Sequence, residues 1–92
     1  MATLSNAEID SALDKLPGWN RGEGRIIKEF KFKGFPGAVD FVGRLVEPAE
    51  SANHHPDLEI HYNRVVVALS THSEGGVTAK DTDLAAVIDS LA

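Results

Sequence analysis

Leu58-Glu59-Ile60-His61-Tyr62, then Asn63-Arg64, then Val65-Val66-Val67-Ala68-Leu69 is the stretch that decides the fold. Leu58, Ile60 and Tyr62 alternate with Glu59 and His61, the period-two pattern of a half-buried strand. Val65, Val67 and Leu69 repeat the pattern, and a tight turn at Asn63-Arg64 joins the two runs into a β-hairpin. A regular hairpin brings its start and its end side by side. The residues that flank it are Asn53-His54-His55-Pro56-Asp57 on one side and Thr71-His72-Ser73-Glu74-Gly75-Gly76 on the other. Three of the chain's four histidines lie in these flanks, so the hairpin predicts that His72 returns to the neighbourhood of His54 and His55. Histidine exchanges protons near neutral pH, and three gathered in loops form a candidate acid/base site. Pro56 holds His55 in extended geometry, where neighbouring side chains point in opposite directions, so His54 and His55 need not share one role.

The flanking chain supplies helices. Ser5-Asn6-Ala7-Glu8 is a capping box, with Leu4 and Ile9 placed as a hydrophobic staple. Ile9, Ala12, Leu13 and Leu16 mark one face of that helix, and Pro17-Gly18 stops it. Trp19 follows as a core residue under a first hairpin. Gly22-Glu23-Gly24 signals a turn, and a strand from Arg25 to Phe32 puts Ile26, Phe30 and Phe32 on one face, interrupted by Lys28. Phe35 to about Ala52 reads as the longest helix, with Pro36 in its first turn and Ala38, Phe41, Val42, Leu45, Val46 and Ala49 as its apolar stripe. Pro48 removes one helical hydrogen bond and crowds the carbonyl of Arg44, so a kink or an end and restart is expected near Val46-Glu47. Thr78-Ala79-Lys80-Asp81 is a second capping box, and Leu84, Ala85, Ile88 and Leu91 give the last helix its buried face. Hairpin-connected strands and helices with single apolar stripes predict an α+β, two-layer domain spanning residues 1–92. The uncovered sheet face and edges point toward self-association.

Composition narrows the function. The 92 residues are 42% hydrophobic and 25% charged, with a net charge of −5 from 9 Lys+Arg against 14 Asp+Glu. Dispersed basic residues in an acidic chain argue against direct nucleic-acid binding. The absence of cysteine excludes a disulfide framework and a thiolate metal site. No apolar run approaches the ~20 residues that span a bilayer. The first residues lack the basic and apolar regions of a signal peptide, so a cytoplasmic protein is expected. Three histidines are also a metal-ligand type, although no helical His-x-x-x-His spacing supports such a site. His54 and His55 have an alternative reading as polar groups at a helix C-terminus, and Asp81 as a capping residue.

The string Asn53-His54-His55-Pro56-Asp57, then Tyr62, Val65, Val67 and Leu69, then Thr71-His72, Gly75-Gly76, Thr78, Asp81, Leu84 and Ala85 resembles the pterin-4a-carbinolamine dehydratase family. Leu16-Pro17-Gly18-Trp19, Phe30-Lys31-Phe32, Phe35, Ala38 and Phe41 extend the resemblance over nearly the whole chain. It implies a four-stranded antiparallel sheet with three helices on one face, assembled as dimers or tetramers. It implies dehydration of 4a-hydroxytetrahydropterin to quinonoid dihydropterin, a step that recycles the pterin of aromatic amino acid hydroxylases. The family's catalytic histidines fall on His54, His55 and His72. Its pterin-contacting residues fall on Pro56, Thr71, Ser73 and Glu74, and its acidic residue at the last helix on Asp81. The reaction needs no metal, nucleotide cofactor or covalent nucleophile. Leu58 stands where some members carry tryptophan, and Ser73 where an acidic residue is common. The fold has also been reused as a non-catalytic module, as a dimerisation partner of transcription regulators and as an assembly factor for the carboxysomal carboxylase. Those roles do not require the histidines that this chain keeps.

Overall fold

The computed structural model describes residues 2–92. The Ser5 hydroxyl accepts from the Glu8 amide at 3.1 Å, and the Glu8 carboxylate accepts from the Ser5 amide at 2.8 Å, which starts α1 (Asn6–Leu13). The Ser5 amide and, secondarily, its hydroxyl hold the Glu8 carboxyl below its ordinary range. Leu4 and Ile9 both reach the core. β1 (Asn20–Gly22) and β2 (Arg25–Lys31) form the first hairpin. α2 (Phe35–Arg44) and α3 (Val46–Ala52) follow, then the second hairpin, β3 (Asp57–His61) and β4 (Arg64–Leu69). A 3-10 turn at His72–Glu74 leads to α4 (Ala79–Leu91). The sheet is antiparallel, in the order β1-β2-β4-β3.

The helices bury one stripe each against one face of that sheet, giving the expected two-layer α+β architecture. Ile26 and Phe30 of β2 and Val65, Val67 and Leu69 of β4 meet Ile9, Ala38, Phe41, Leu45, Leu84, Ala85 and Ile88 from the helices. Phe41 is fully buried at the centre, with its ring centroid 4.8 Å from Phe30 and 5.0 Å from Phe32. Lys28, which breaks the apolar alternation of β2, carries its charge to the rim of the core. There its ammonium donates to Asp89 and to the Pro17 carbonyl, both at 3.0 Å. Trp19 Nε1 donates to the same Asp89 oxygen at 3.0 Å, so the indole is buried with its polar end paired.

The long helix is in two parts. The break falls at Leu45, a residue earlier than the expected site at Val46-Glu47, and Pro48 sits in the first turn of α3. A proline in a first turn costs no hydrogen bond, because its amide would have had no helical acceptor there. Two further differences concern the decisive hairpin. Its turn is Tyr62-Asn63, one residue earlier than expected, and Arg64 pairs with His61. Asn63 is drawn toward β2: its side chain donates to the Phe32 carbonyl at 3.1 Å and its own carbonyl accepts from the Phe32 amide at 2.7 Å. Tyr62 takes the left-handed conformation that this turn requires, with φ of 55°. β3 is exposed along its length rather than half-buried, because it is an edge strand with a sheet neighbour on one side only. Among the described residues, no helix is long and apolar enough to cross a membrane.

Phe41→Ala is expected to lower the unfolding free energy by about 3–5 kcal/mol, the range for emptying a closed aromatic site. Urea denaturation followed by Trp19 fluorescence measures it.

Candidate functional site

Asn53 shapes the first half of the site. It ends α3 in the left-handed conformation, with φ of 49° and ψ of 45°, and turns the chain so that the His54 amide donates to the Ala49 carbonyl at 3.0 Å. His54 then points inward and His55 outward. His54 is buried, and its Nε2 lies 2.5 Å from Oδ1 of Asp81. His55 is exposed and pairs through Nε2 with the Glu50 carboxylate, one turn back on α3.

The Asp81 carboxylate is fully enclosed. It is the third residue of α4, placed there by the second capping box, and its Oδ2 accepts from the Thr78 amide at 2.9 Å. The Thr71 hydroxyl donates to the same oxygen at 2.9 Å and lies 2.8 Å from the Thr78 hydroxyl. Donors therefore surround the carboxylate. A carboxylate only accepts, so the His54 ring that meets it bears its proton at Nε2 and leaves Nδ1 as the acceptor when the ring is neutral.

The second half of the site comes from the end of β4. The register pairs Asp57 with Ala68, and its continuation sets residues 54–56 beside 69–71, with His72 just beyond. Thr71 bridges to Gly76, and the 3-10 turn between them is closed by Gly75 in the left-handed conformation, with φ of 76°. That turn lifts His72 into solvent: its side chain is 80% exposed, with Nε2 3.9 Å from Oδ2 of Asp57.

His54, His55, His72, Thr71 and Ser73 line one cavity of about 340 Å³. Lys80 and Ser70 also border it. Pro56 lies on the other side of His55, in a recess against Val42, Val46 and Leu58. Glu74 closes the 3-10 turn outside the cavity, and Asp81 sits beneath His54 rather than in the wall. His61 is apart from the group, at the far end of β3, where it pairs with Glu59 at 3.0 Å. Among the described residues, no group of three or more histidine, cysteine, aspartate and glutamate side chains is arranged to hold a metal ion. Sequence reasoning passed over Lys80 and the pairing of Glu50 with His55. The signal for Glu50 is its place in the last turn of α3, just before the histidines. Lys80 carried no signal beyond its place beside Asp81 in the capping box.

A family model described as Pterin 4 alpha carbinolamine dehydratase matches residues 2–91. The chain is 53% identical over 92 residues to a protein of Picosynechococcus sp. named "Putative pterin-4-alpha-carbinolamine dehydratase", a match covering 99% of this chain and 100% of that one. Its structure is similar to that of a transcriptional coactivator/pterin dehydratase from Brucella melitensis, with a TM-score of 0.93, 40% identity and 98% of each chain covered. A pterin dehydratase-like protein described as a RuBisCO assembly factor in the alpha-carboxysome shares the fold at a TM-score of 0.65 and 19% identity, over 79% of this chain and 84% of that one. With a family model matched from end to end and a relative identical at half its positions, the chain belongs to the pterin 4 alpha carbinolamine dehydratase family.

Proposed function

We propose that the protein dehydrates 4a-hydroxytetrahydropterin to quinonoid dihydropterin and water, with His54, His55 and His72 as its catalytic residues. The observation that carries this reading is the single cavity bordered by all three imidazoles, one of them seated on an enclosed carboxylate. In the substrate, the hydroxyl and N5 share carbon C4a. The N5 lone pair forms the C4a–N5 double bond as the C4a–O bond breaks. The leaving oxygen takes one proton to depart as water, and the ring system gives one up. Two positioned proton-transfer groups therefore suffice, each worth about 10²–10⁴-fold.

His54 and His72 are the acid/base pair in this reading. His54, held through Nε2 by Asp81, takes the ring proton at Nδ1. His72, in contact with water, protonates the departing hydroxyl. His55, steadied by Glu50, holds the pterin, with Thr71 and Ser73 as further contacts; Pro56 and Glu74, outside the cavity, shape the segments that carry these residues. Asp81 acts through His54, as a positioning residue. The physiological role is recycling of the pterin used by aromatic amino acid hydroxylases, carried out in the cytoplasm by one domain of residues 1–92. Leu58 and Ile60, exposed on the β3 edge, support assembly into a homodimer or homotetramer. An assembly module of this fold needs its surface but not its histidines, and the retained cluster favours the enzyme.

Purified protein mixed with the 4a-carbinolamine is expected to accelerate water loss, followed by ultraviolet absorbance. His54→Ala and His72→Ala should each slow turnover by about 10²–10⁴-fold. A double variant running at the wild-type rate ends the enzyme reading. Asp81→Asn keeps the shape but weakens the hold on His54; kcat is expected to fall by about 10²-fold with KM little changed. An unaltered kcat in a folded Asp81→Asn protein removes Asp81 from the mechanism.

A further inference from the structure

His72 owes its place to its backbone. Its side chain is 80% exposed and its Nε2 stands 3.9 Å from the Asp57 carboxylate, whereas His54 is seated on Asp81 at 2.5 Å. The 3-10 turn that carries His72 therefore decides where the imidazole stands. The two ends of that turn are tied to each other: the Thr71 amide donates to the Gly76 carbonyl at 2.9 Å, and the Gly75 amide donates to the Thr71 carbonyl at 3.0 Å. The leading end is also tied to the body of the domain, through the Thr71 hydroxyl and Asp81.

The trailing end is held by the segment before α1. The Leu4 amide donates to the carbonyl of the buried Val77 at 2.8 Å, and Leu4 packs against the core. Thr3 lies against Gly76: a methyl group on Gly76 would stand 3.3 Å from Cγ2 of Thr3 and 3.8 Å from its Cβ. Carbon atoms pack best at about 3.5–4.0 Å, so Cγ2 leaves no room for that methyl group. Gly76 is buried and, unlike Gly75, does not take a positive φ. Its missing side chain thus serves the close approach of Thr3 and not a backbone conformation. The Ser5 cap follows Leu4 directly, so the segment that touches the turn is fixed to α1. Neither Thr3 nor Leu4 lines the histidine cavity.

We infer that Thr3 and Leu4 are positioning residues for His72: they brace the trailing end of its turn so that the imidazole faces the cavity, a role that rests on the dehydratase reading of that cavity. The brace works away from the groups that hold the pterin. It should therefore govern turnover and leave binding nearly as it was.

Gly76→Ala fills the gap and pushes the turn away from Thr3. Water loss from the 4a-carbinolamine is expected to slow about tenfold in kcat, with KM within about twofold of wild type, the scale of a catalytic group displaced by less than about 1 Å. In proton–carbon correlation NMR the His72 ring signal should move while those of His54 and His61 stay. Thr3→Ser removes only Cγ2, so the Thr3→Ser, Gly76→Ala double variant should recover kcat to within about twofold of wild type and return the His72 signal. Thr3→Gly, a change at an exposed residue that adds no volume, should by itself lower kcat about threefold. Wild-type kcat in both Gly76→Ala and Thr3→Gly, or a loss in Gly76→Ala that Thr3→Ser leaves uncorrected, overturns the brace while leaving the dehydratase reading intact. Movement of the His54 signal together with that of His72 overturns it too, because the disturbance is then general. No turnover by the wild type overturns both.

Discussion

The enclosed carboxylate of Asp81 joins the fold to the site. It belongs to the first turn of α4, yet its partners come from three places: the Thr78 amide at its own helix start, the Thr71 hydroxyl after β4, and the His54 ring after α3. A buried charge is tolerated only when it is surrounded by donors, and removing one partner from such a pair typically costs about 3–5 kcal/mol. The same bonds that make Asp81 acceptable inside the protein fix where His54 stands and which of its nitrogens the carboxylate holds. The capping role and the positioning role are therefore one arrangement, seen from the helix and from the site.

The rest of the site is built by ending elements at the right residues. Leu45 interrupts the long helix, and Pro48 fits the first turn that follows. Asn53 ends α3 in a conformation that few residues with a side chain adopt. The hairpin then carries the chain out and back, and its register returns Thr71 and His72 to the level of His54. The 3-10 turn closed by Gly75 leaves His72 in water while His54 is sealed. One cavity thus has a shielded imidazole and an open one, a useful difference for a reaction that must take one proton and release another.

Much of this was legible in the residues. Both capping boxes, the alternation in β2 and β4 and the apolar stripes follow from local rules that tertiary contacts reinforce here, except that Val46, expected in the stripe of the long helix, is exposed because the helix breaks at Leu45. What was not legible depended on longer-range partners. β1 is three residues with no apolar alternation, and it exists because β2 offers it a ladder. The hairpin turn shifted by one residue because Asn63 bonds to Phe32, far away in sequence. β3 reads as half-buried from its pattern, but its place at the sheet edge leaves Leu58 and Ile60 exposed in one chain. Lys28 looked like a flaw in β2 until Asp89 and the Pro17 carbonyl appeared as its partners. In the site, the three histidines stood out by their clustering, whereas the support that Glu50 gives His55 needed the actual end of α3.

The central claim is that His54, His55 and His72 face one pterin molecule and His61 does not. Titrating a stable 7,8-dihydropterin into protein labelled at its histidine rings, followed by proton–carbon correlation NMR, tests it most directly. Saturable shifts of the rings at 54, 55 and 72, with the ring at 61 unmoved, are the predicted result. Binding that leaves those three signals in place, or that moves only the ring at 61, contradicts the account.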